Sequence, residues 1–518
     1  MKRPGAWTSV CAFDELLPDT GVAALIDGRQ IALFLVGDVV YAIDNYDPHS
    51  EANVLSRGII GDLNGEPVVA SPIYKHHFNL ATGRCIEDPD QSVRAWPARV
   101  SDGKVWIKSE PLRMHKRRKL VVVGNGMAGM KVIEELLAIS GQPFEITVFG
   151  AEPYPNYNRI LLSPVLAGEK RFDDIVLNPV EWYRDNGVTL HLSDPVVAID
   201  RVRRVVRSKS GIEARYDRLL LATGSNPIVL PVPGKDLPGV VTFRDLQDVN
   251  TMLDAARTHP KAVVIGGGLL GLEAANGLLK QGMQVTVVHL LETLMERQLD
   301  PAAAQLLRQQ LERRGLNFHM PAKTTAIAGS DRVTAVEFAD GHRIEADLVV
   351  IAAGIRPNIE LARGANLRCD RGVLVDDTMQ TFDPCIYAVG ECVQHRNNTY
   401  GLVAPLFEQA RVCATHLAEV GIGRYAGSVL STQLKVSGID LFSAGDFLGG
   451  PGSEALVLRD AKRGIYKRIV IENNKVRGAV LYGDTRDGAW YCELMTAGRD
   501  VGPLRDKLIF GAAVAGKQ

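Results

Sequence analysis

Two glycine-rich turns carry the residue types and spacing most able to do chemistry. Gly124-Asn125-Gly126-Met127-Ala128-Gly129 follows the apolar run Leu120–Val123, and Gly266-Gly267-Gly268-Leu269-Leu270-Gly271 follows Ala262–Ile265. Each turn leads into an amphipathic stretch that reads as a helix, Met130–Ile139 in the first and Leu272–Lys280 in the second. A strand feeding Gly-x-Gly-x-x-Gly into a helix is a dinucleotide fingerprint. Its glycines allow a tight turn and let the backbone approach a pyrophosphate, whose charge sits at the helix N-terminus. One such motif is a weak sign. Two complete ones, each in the right context, imply two dinucleotides side by side. Direct hydride transfer from a nicotinamide to a flavin needs that arrangement.

The position that normally reads the ribose is irregular in both units. Where an acidic residue is expected, the chain has Gly150 and His289, with Glu152 just beyond the first. No arginine directly follows His289 to hold a 2′-phosphate, and Glu292 and Arg297 fit a solvated helix face equally well. The choice between NADH and NADPH stays open here. Leu219–Gly224 and Val349–Gly354 are apolar strands ending in small residues, which let the chain cross close to a cofactor. Ile386–Glu391 ends in a glycine and a carboxylate. That carboxylate either accepts a hydrogen bond from a ribityl hydroxyl or marks an ordinary strand-end turn.

The elements that position these turns follow from the patterning. At 518 residues the chain is too long for one core. Residues 1–110 read as short strands and turns, among them Ile31–Val36, Val39–Ile43 and Pro67–Ser71, and form an all-β domain. The basic stretch 111–119 reads as a linker. Strand, glycine turn, helix and strand begin at Leu120 and recur from Ala262. Residues 421–518 return to β character, with a hairpin around Asn473-Asn474 and a last helix near Trp490–Thr496.

A formal net charge of -1 argues against a nucleic-acid partner. No signal-peptide core and no membrane-length apolar run occurs, so a cytoplasmic location is expected. The seven cysteines, Cys11, Cys85, Cys369, Cys385, Cys392, Cys413 and Cys492, include no C-x-x-C pair, and no resident metal is expected. Cys385 and Cys392 read as buried apolar residues.

Together these motifs resemble the glutathione-reductase-like flavoprotein family over about 120–420. The resemblance implies an α/β fold with two Rossmann-like domains, the NAD(P) domain (241–344) inserted into the FAD domain (120–240 and 345–420). An all-β Rieske-like domain precedes them, and a small α+β domain (421–518) follows. FAD would be bound by Gly124, Gly126, Met127, Ala128, Gly129, Glu152, Arg159, Ser163, Thr223, Gly224, Gly390 and Glu391. NAD(P)H would be bound by Gly266, Gly268, Leu269, Leu270, Gly271, Glu273, His289 and Gly354. No cysteine lies between Cys85 and Cys369, where disulfide reductases of the family need a pair and persulfide or peroxide enzymes need one. Pro164 stands where related ferredoxin reductases often place a lysine, so no catalytic residue is assigned.

Val121–Met130, Phe149–Gly168 and Ser431–Gly445 are similar to the flavin region of the large subunit of assimilatory NAD(P)H nitrite reductases. The first 110 residues are similar to the small subunit, a Rieske-type domain. A Rieske cluster needs C-x-H and C-x-x-H, and the matching positions are Asp47-Pro48-His49 and Ser71-Pro72-Ile73-Tyr74. No cluster is expected there, and His49 reads as a surface-loop residue. The chain ends where siroheme-binding domains would continue.

The resemblance therefore implies an electron-transfer component of nitrate or nitrite assimilation. It would pass electrons from NAD(P)H through FAD to a separate nitrate or nitrite reductase subunit bearing molybdenum, iron–sulfur or siroheme centres. One alternative is a ferredoxin or rubredoxin reductase feeding an oxygenase. Another is a non-catalytic nucleotide-binding sensor or scaffold.

Overall fold

Strands with both faces buried organise the chain, which divides into the units Met1–Arg117 and Arg118–Gln518. The computed structural model describes residues 6–63, 65–88, 91–112, 117–140, 144–428, 431–436 and 438–515. In the first unit Ile31, Ala32, Leu33 and Phe34 are all fully buried. Successive side chains on a strand point to opposite faces. Ile31 and Leu33 therefore pack with Val105 and Ile107, while Ala32 and Phe34 join Val69, Phe78 and Leu80. Their strand, Arg29–Val36, pairs antiparallel with Gly21–Ile26 and Val39–Asp44. Two more three-stranded antiparallel sheets and the two-stranded pair Tyr46–Asp47 and Ala52–Asn53 complete the unit, with no α-helix among its described residues.

The second unit runs β1 (Arg118–Val123), α1 (Met127–Ser140), β2 (Phe144–Phe149), α2 (Leu162–Leu166), β3 (Val188–His191) and β4 (Arg218–Leu221). It continues with β5 (Val240–Thr242), β6 (Lys261–Ile265), α3 (Leu269–Lys280), β7 (Gln284–Val288), β8 (Asn317–His319) and β9 (Leu348–Ile351). β10 (Ile386–Ala388) and α4 (Val403–Leu417) follow. One parallel sheet has the order β3-β2-β1-β4-β10 and the other β5-β9-β6-β7-β8. The second sheet lies in sequence between β4 and β10, so its domain is inserted into the first.

In each sheet the central strand feeds two cores. Leu120 and Val122 of β1 pack with Ile133 and Leu136 of α1, whereas Val121 and Val123 pack on the other face. Ala262 and Val264 of β6 face Leu272 and Leu278 of α3, while Val263 and Ile265 face Val336 and Phe338. Each fully buried side chain of this kind contributes about 1.5–3 kcal/mol.

Two boundaries differ from the sequence reading. β9 was expected in the FAD domain from 345, but it pairs in parallel with β6 and belongs to the inserted sheet. An apolar strand ending in small residues lies beside the central strand in both sheets, so pattern alone does not assign it. Of the expected linker 111–119, residues 113–116 lie outside the described residues, and Arg118 and Lys119 already belong to β1.

The C-terminal domain is a five-stranded antiparallel sheet with the helix Gly488–Ala497. Its hairpin Ile465–Glu472 and Lys475–Tyr482 turns through Asn473 and Asn474, at φ 50° and 57°. Asparagine tolerates that left-handed backbone, and a two-residue hairpin turn requires it. Tyr466 donates to Asp300 (2.6 Å) and Tyr482 to Gln310 (2.9 Å), tying this sheet to the inserted domain.

The buried Lys467 ammonium lies 3.2 Å from Asp484 and 3.3 Å from Asp487. Arg486, and then Lys467, hold the Asp484 carboxyl well below the usual carboxylate range. Asp484→Asn is expected to lower stability by about 1–3 kcal/mol. A lowered folded pKa stabilises above the unfolded value, so the loss in urea unfolding is complete above about pH 4 and fades below it.

Candidate active site: two glycine turns and the residues between them

The three fingerprint glycines of each turn do three different jobs, and they do them alike in both turns. Gly124 and Gly266 have φ of 112° and 133°. A Cβ on either would lie 2.1 Å from the Ala222 carbonyl oxygen or 2.2 Å from that of Ala352. Gly129 and Gly271 allow helix and strand to touch: a Cβ would lie 2.9 Å from Ala222 Cβ or 1.9 Å from the Gly266 oxygen. The middle glycines are another case. A Cβ on Gly126 or Gly268 would meet nothing within 4 Å. Protein packing leaves that side of each turn open, and a glycine is needed there only if a ligand comes close.

α1 begins at Met127 and α3 at Leu269, so Met127, Ala128, Leu269 and Leu270 form the first turns. Gly268 caps α3 without a side-chain acceptor, which suits its amides to an anion. The residues present fit two pyrophosphate-bearing cofactors.

The two missing acids have one explanation. Asn125 accepts a hydrogen bond from the buried Tyr183 hydroxyl (2.7 Å), and a Cβ on Gly150 would lie 3.0 Å from Asn125 Cβ. In the second turn the sizes are exchanged: a Cβ on Gly267 would lie 2.7 Å from His289 Cγ. The strand-end residue packs on the turn in both cases, and one partner of each pair must be glycine.

Residues chosen separately from the sequence meet around the first turn. Glu152 accepts from Tyr157 (2.6 Å) and pairs with Arg159. Arg159 also donates to the Arg244 carbonyl (2.8 Å), and the Arg244 guanidinium pairs with Glu391 at 2.5 Å. Glu391 accepts a second bond from Ser225 (2.7 Å). A Cβ on Gly224 would lie 3.7 Å from Arg244 Nη2. The Thr223 hydroxyl donates to the Asn358 carbonyl (2.7 Å), the Gly390 amide to Gln409 (3.0 Å), and Gly354 is exposed at φ 114°. Sequence reasoning missed Arg244, Ser225, Asn358 and Gln409. Ser225 adjoins a chosen glycine and was within reach, but Arg244 sits in no motif, and only the neighbouring helix cap Asp245 marks its place.

Ser163 and Glu273, expected in different cofactor sites, bond to each other: the hydroxyl donates to the carboxyl at 2.6 Å. One turn further along each helix, a Cβ on Gly277 would strike Leu166 at 2.7 Å, so α2 and α3 are in close contact. Glu273 has no ion-pair partner among the described residues. Burial pushes its carboxyl above the ordinary range, despite the bond from Ser163. Cys392, behind Glu391, is fully buried, and burial pushes its thiol up.

In the first unit, Asp47 and Ser71 take the two thiolate positions and close on each other: Ser71 Oγ donates to Asp47 at 2.5 Å. Burial alone would raise the Asp47 carboxyl, but bonds from Ser71, Ser50 and the His49 amide hold it below the usual range. Tyr74 is 60% exposed. Two hard oxygen groups bound to each other do not fit an iron–sulfur cluster. His49 is not the surface-loop residue expected. It is half-buried, stacked on His76 at 3.7 Å, with its Nε2 3.6 Å from Cys85 Sγ.

Paired parallel sheets, each offering an open glycine turn at a helix start, define a flavin- and nicotinamide-dependent reductase. Residues 118–415 match the pyridine nucleotide-disulphide oxidoreductase family, and the chain belongs to it. It is an FAD-dependent NAD(P)H oxidoreductase. Residues 6–108 match the Rieske-like [2Fe-2S] domain, and 431–499 the C-terminal domain of rubredoxin NAD+ reductase.

The chain is 52% identical over 372 residues to nitrite reductase [NAD(P)H] of Bacillus subtilis (72% of this chain, 46% of the relative). It is 44% identical over 394 residues to the assimilatory nitrate reductase electron transfer subunit of the same organism (76% and 51%). It thus spans about half the length of these curated relatives. Among solved structures, the covalent putidaredoxin reductase–putidaredoxin complex superposes with a TM-score of 0.70 at 27% identity, covering 77% of this chain and 99% of that one. No helix among the described residues is long and apolar enough to cross a membrane.

Gly126→Val and Gly268→Val are expected to fold, since a Cβ at either position meets nothing within 4 Å. The first is expected to purify without flavin absorbance, and the second to keep its flavin but fail to bleach with NAD(P)H. Glu273→Gln keeps the bond from Ser163 and removes the titration. A raised folded pKa costs stability as pH climbs from about 4.3 through the folded value. Urea unfolding of the variant is therefore expected to lose less stability than the parent chain across that rise.

Proposed function

We propose that this chain is the electron-transfer component of assimilatory nitrate or nitrite reduction in the cytoplasm, delivering electrons from NAD(P)H to a separate metal-containing subunit. The observation that carries this reading is the pair of open glycine turns, with Ser163 of α2 bonded to Glu273 of α3, in a chain with no thiol between Cys85 and Cys369. Bound FAD would take a hydride from NAD(P)H and give up electrons one at a time.

The protein's own part is positional. The turns around Gly126 and Gly268 would seat the two pyrophosphates. Glu152, Arg159, Arg244 and Glu391 form a fixed polar chain beside the flavin turn, and buried Cys392 stays a thiol. With no thiol between Cys85 and Cys369, and Asp47 and Ser71 at the thiolate positions of the first unit, the acceptor would lie outside these residues. The two Bacillus relatives, both named for nitrate or nitrite reduction, support a nitrate or nitrite reductase catalytic subunit as that acceptor.

Anaerobic mixing with NAD(P)H is expected to bleach the flavin, and adding a nitrate or nitrite reductase catalytic subunit to restore its colour as the anion is consumed. No bleaching would sink the enzyme reading itself. Bleaching with reoxidation only by a ferredoxin or rubredoxin would select the second reading. The likeness to the putidaredoxin reductase complex and the rubredoxin-reductase-type C-terminal domain support that second reading.

A further inference from the structure

The second glycine turn also bears on which nicotinamide dinucleotide enters, given that it is the NAD(P)H site proposed above. In dinucleotide folds the residue closing the second strand faces the adenosine ribose. A carboxylate there suits a free 2′-hydroxyl, and an arginine suits a 2′-phosphate. His289 closes β7. Its Nδ1 accepts the Gly267 amide hydrogen (3.1 Å), and its Nε2 lies 3.1 Å from the Thr293 carbonyl. A backbone amide can only donate, so Nδ1 is unprotonated and Nε2 carries the hydrogen. The imidazole is neutral with both nitrogens engaged, and offers a phosphate no charge.

The next group is acidic. The segment after β7 folds back on the turn, where the Met295 amide donates to the Gly267 carbonyl at 3.0 Å. That return sets the Glu296 carboxylate 3.3 Å from His289 Nε2. The other imidazole on this sheet edge, His319, faces Asp340 at 3.6 Å. The same segment carries Glu292 and Arg297, both exposed and opposite in formal charge, so its net charge has the sign of Glu296.

We infer that this chain selects NADH over NADPH, with Glu296, positioned by His289 and the returning segment, as the specificity-determining residue. The carboxylate accepts from a ribose 2′-hydroxyl and repels a 2′-phosphate.

The flavin-loaded full chain, titrated calorimetrically with NAD+ and with NADP+, is expected to bind NAD+ at least about tenfold more tightly. Equal affinity, or tighter NADP+, overturns the inference. Glu296→Arg, at a partly exposed position, is expected to narrow the ratio by about fivefold or more. An unchanged ratio in a folded variant removes Glu296 from the role. If neither nucleotide binds, or Gly268→Val binds both like the parent chain, the site assignment itself fails and the preference falls with it.

Discussion

The architecture of the catalytic half depends on one close approach, made twice: a strand-end carbonyl pressed against the first glycine of a turn. The oxygens of Ala222 and Ala352 occupy the volume that any Cβ on Gly124 or Gly266 would need. That contact lets the strand after the crossover sit tight against the turn, and so fixes where each helix starts. The helix starts in turn set where two phosphate-bearing ligands can lie. The inserted domain repeats the solution of its host down to the alanine and the following glycine, Gly224 in one and Gly354 in the other.

The exchange of bulk between Asn125–Gly150 and Gly267–His289 belongs to the same constraint. A turn and a strand end this close have room for one side chain between them. At the first turn the turn supplies it, and the next acid, Glu152, is freed to bind Tyr157 and Arg159. At the second turn the strand end supplies it, and the imidazole is spent on holding the turn. Two closely similar turns thus carry different polar groups.

Much of this was legible in the residues because it is decided locally. Gly124 and Gly266 answer to a backbone angle and Gly129 and Gly271 to a contact inside their own strand–turn–helix units, and the unbroken apolar runs at β1 and β6 announced strands covered on both faces. The hairpin at Asn473 and Asn474 was equally local. What escaped notice is tertiary. β9 has the same composition as the strands of either sheet, and only its pairing with β6 decides its domain. Arg244 links Arg159 to Glu391 from a position whose neighbours carry no motif. Ser163 and Glu273 were chosen for separate sites, and only the contact of α2 with α3 shows that they are partners. His76 and Cys85 became visible only when the fold of the first unit stacked them around His49.

The bond between Ser71 and Asp47 has a consequence for how such a chain is made. A thiolate-and-imidazole site stays incomplete until a metal cluster is delivered, so the maturation of such a domain is tied to iron supply and to protection from oxygen. Here the corresponding loops are joined by a hydroxyl and a carboxylate that the polypeptide brings with it. The first unit can therefore close these loops without waiting on cluster-assembly machinery.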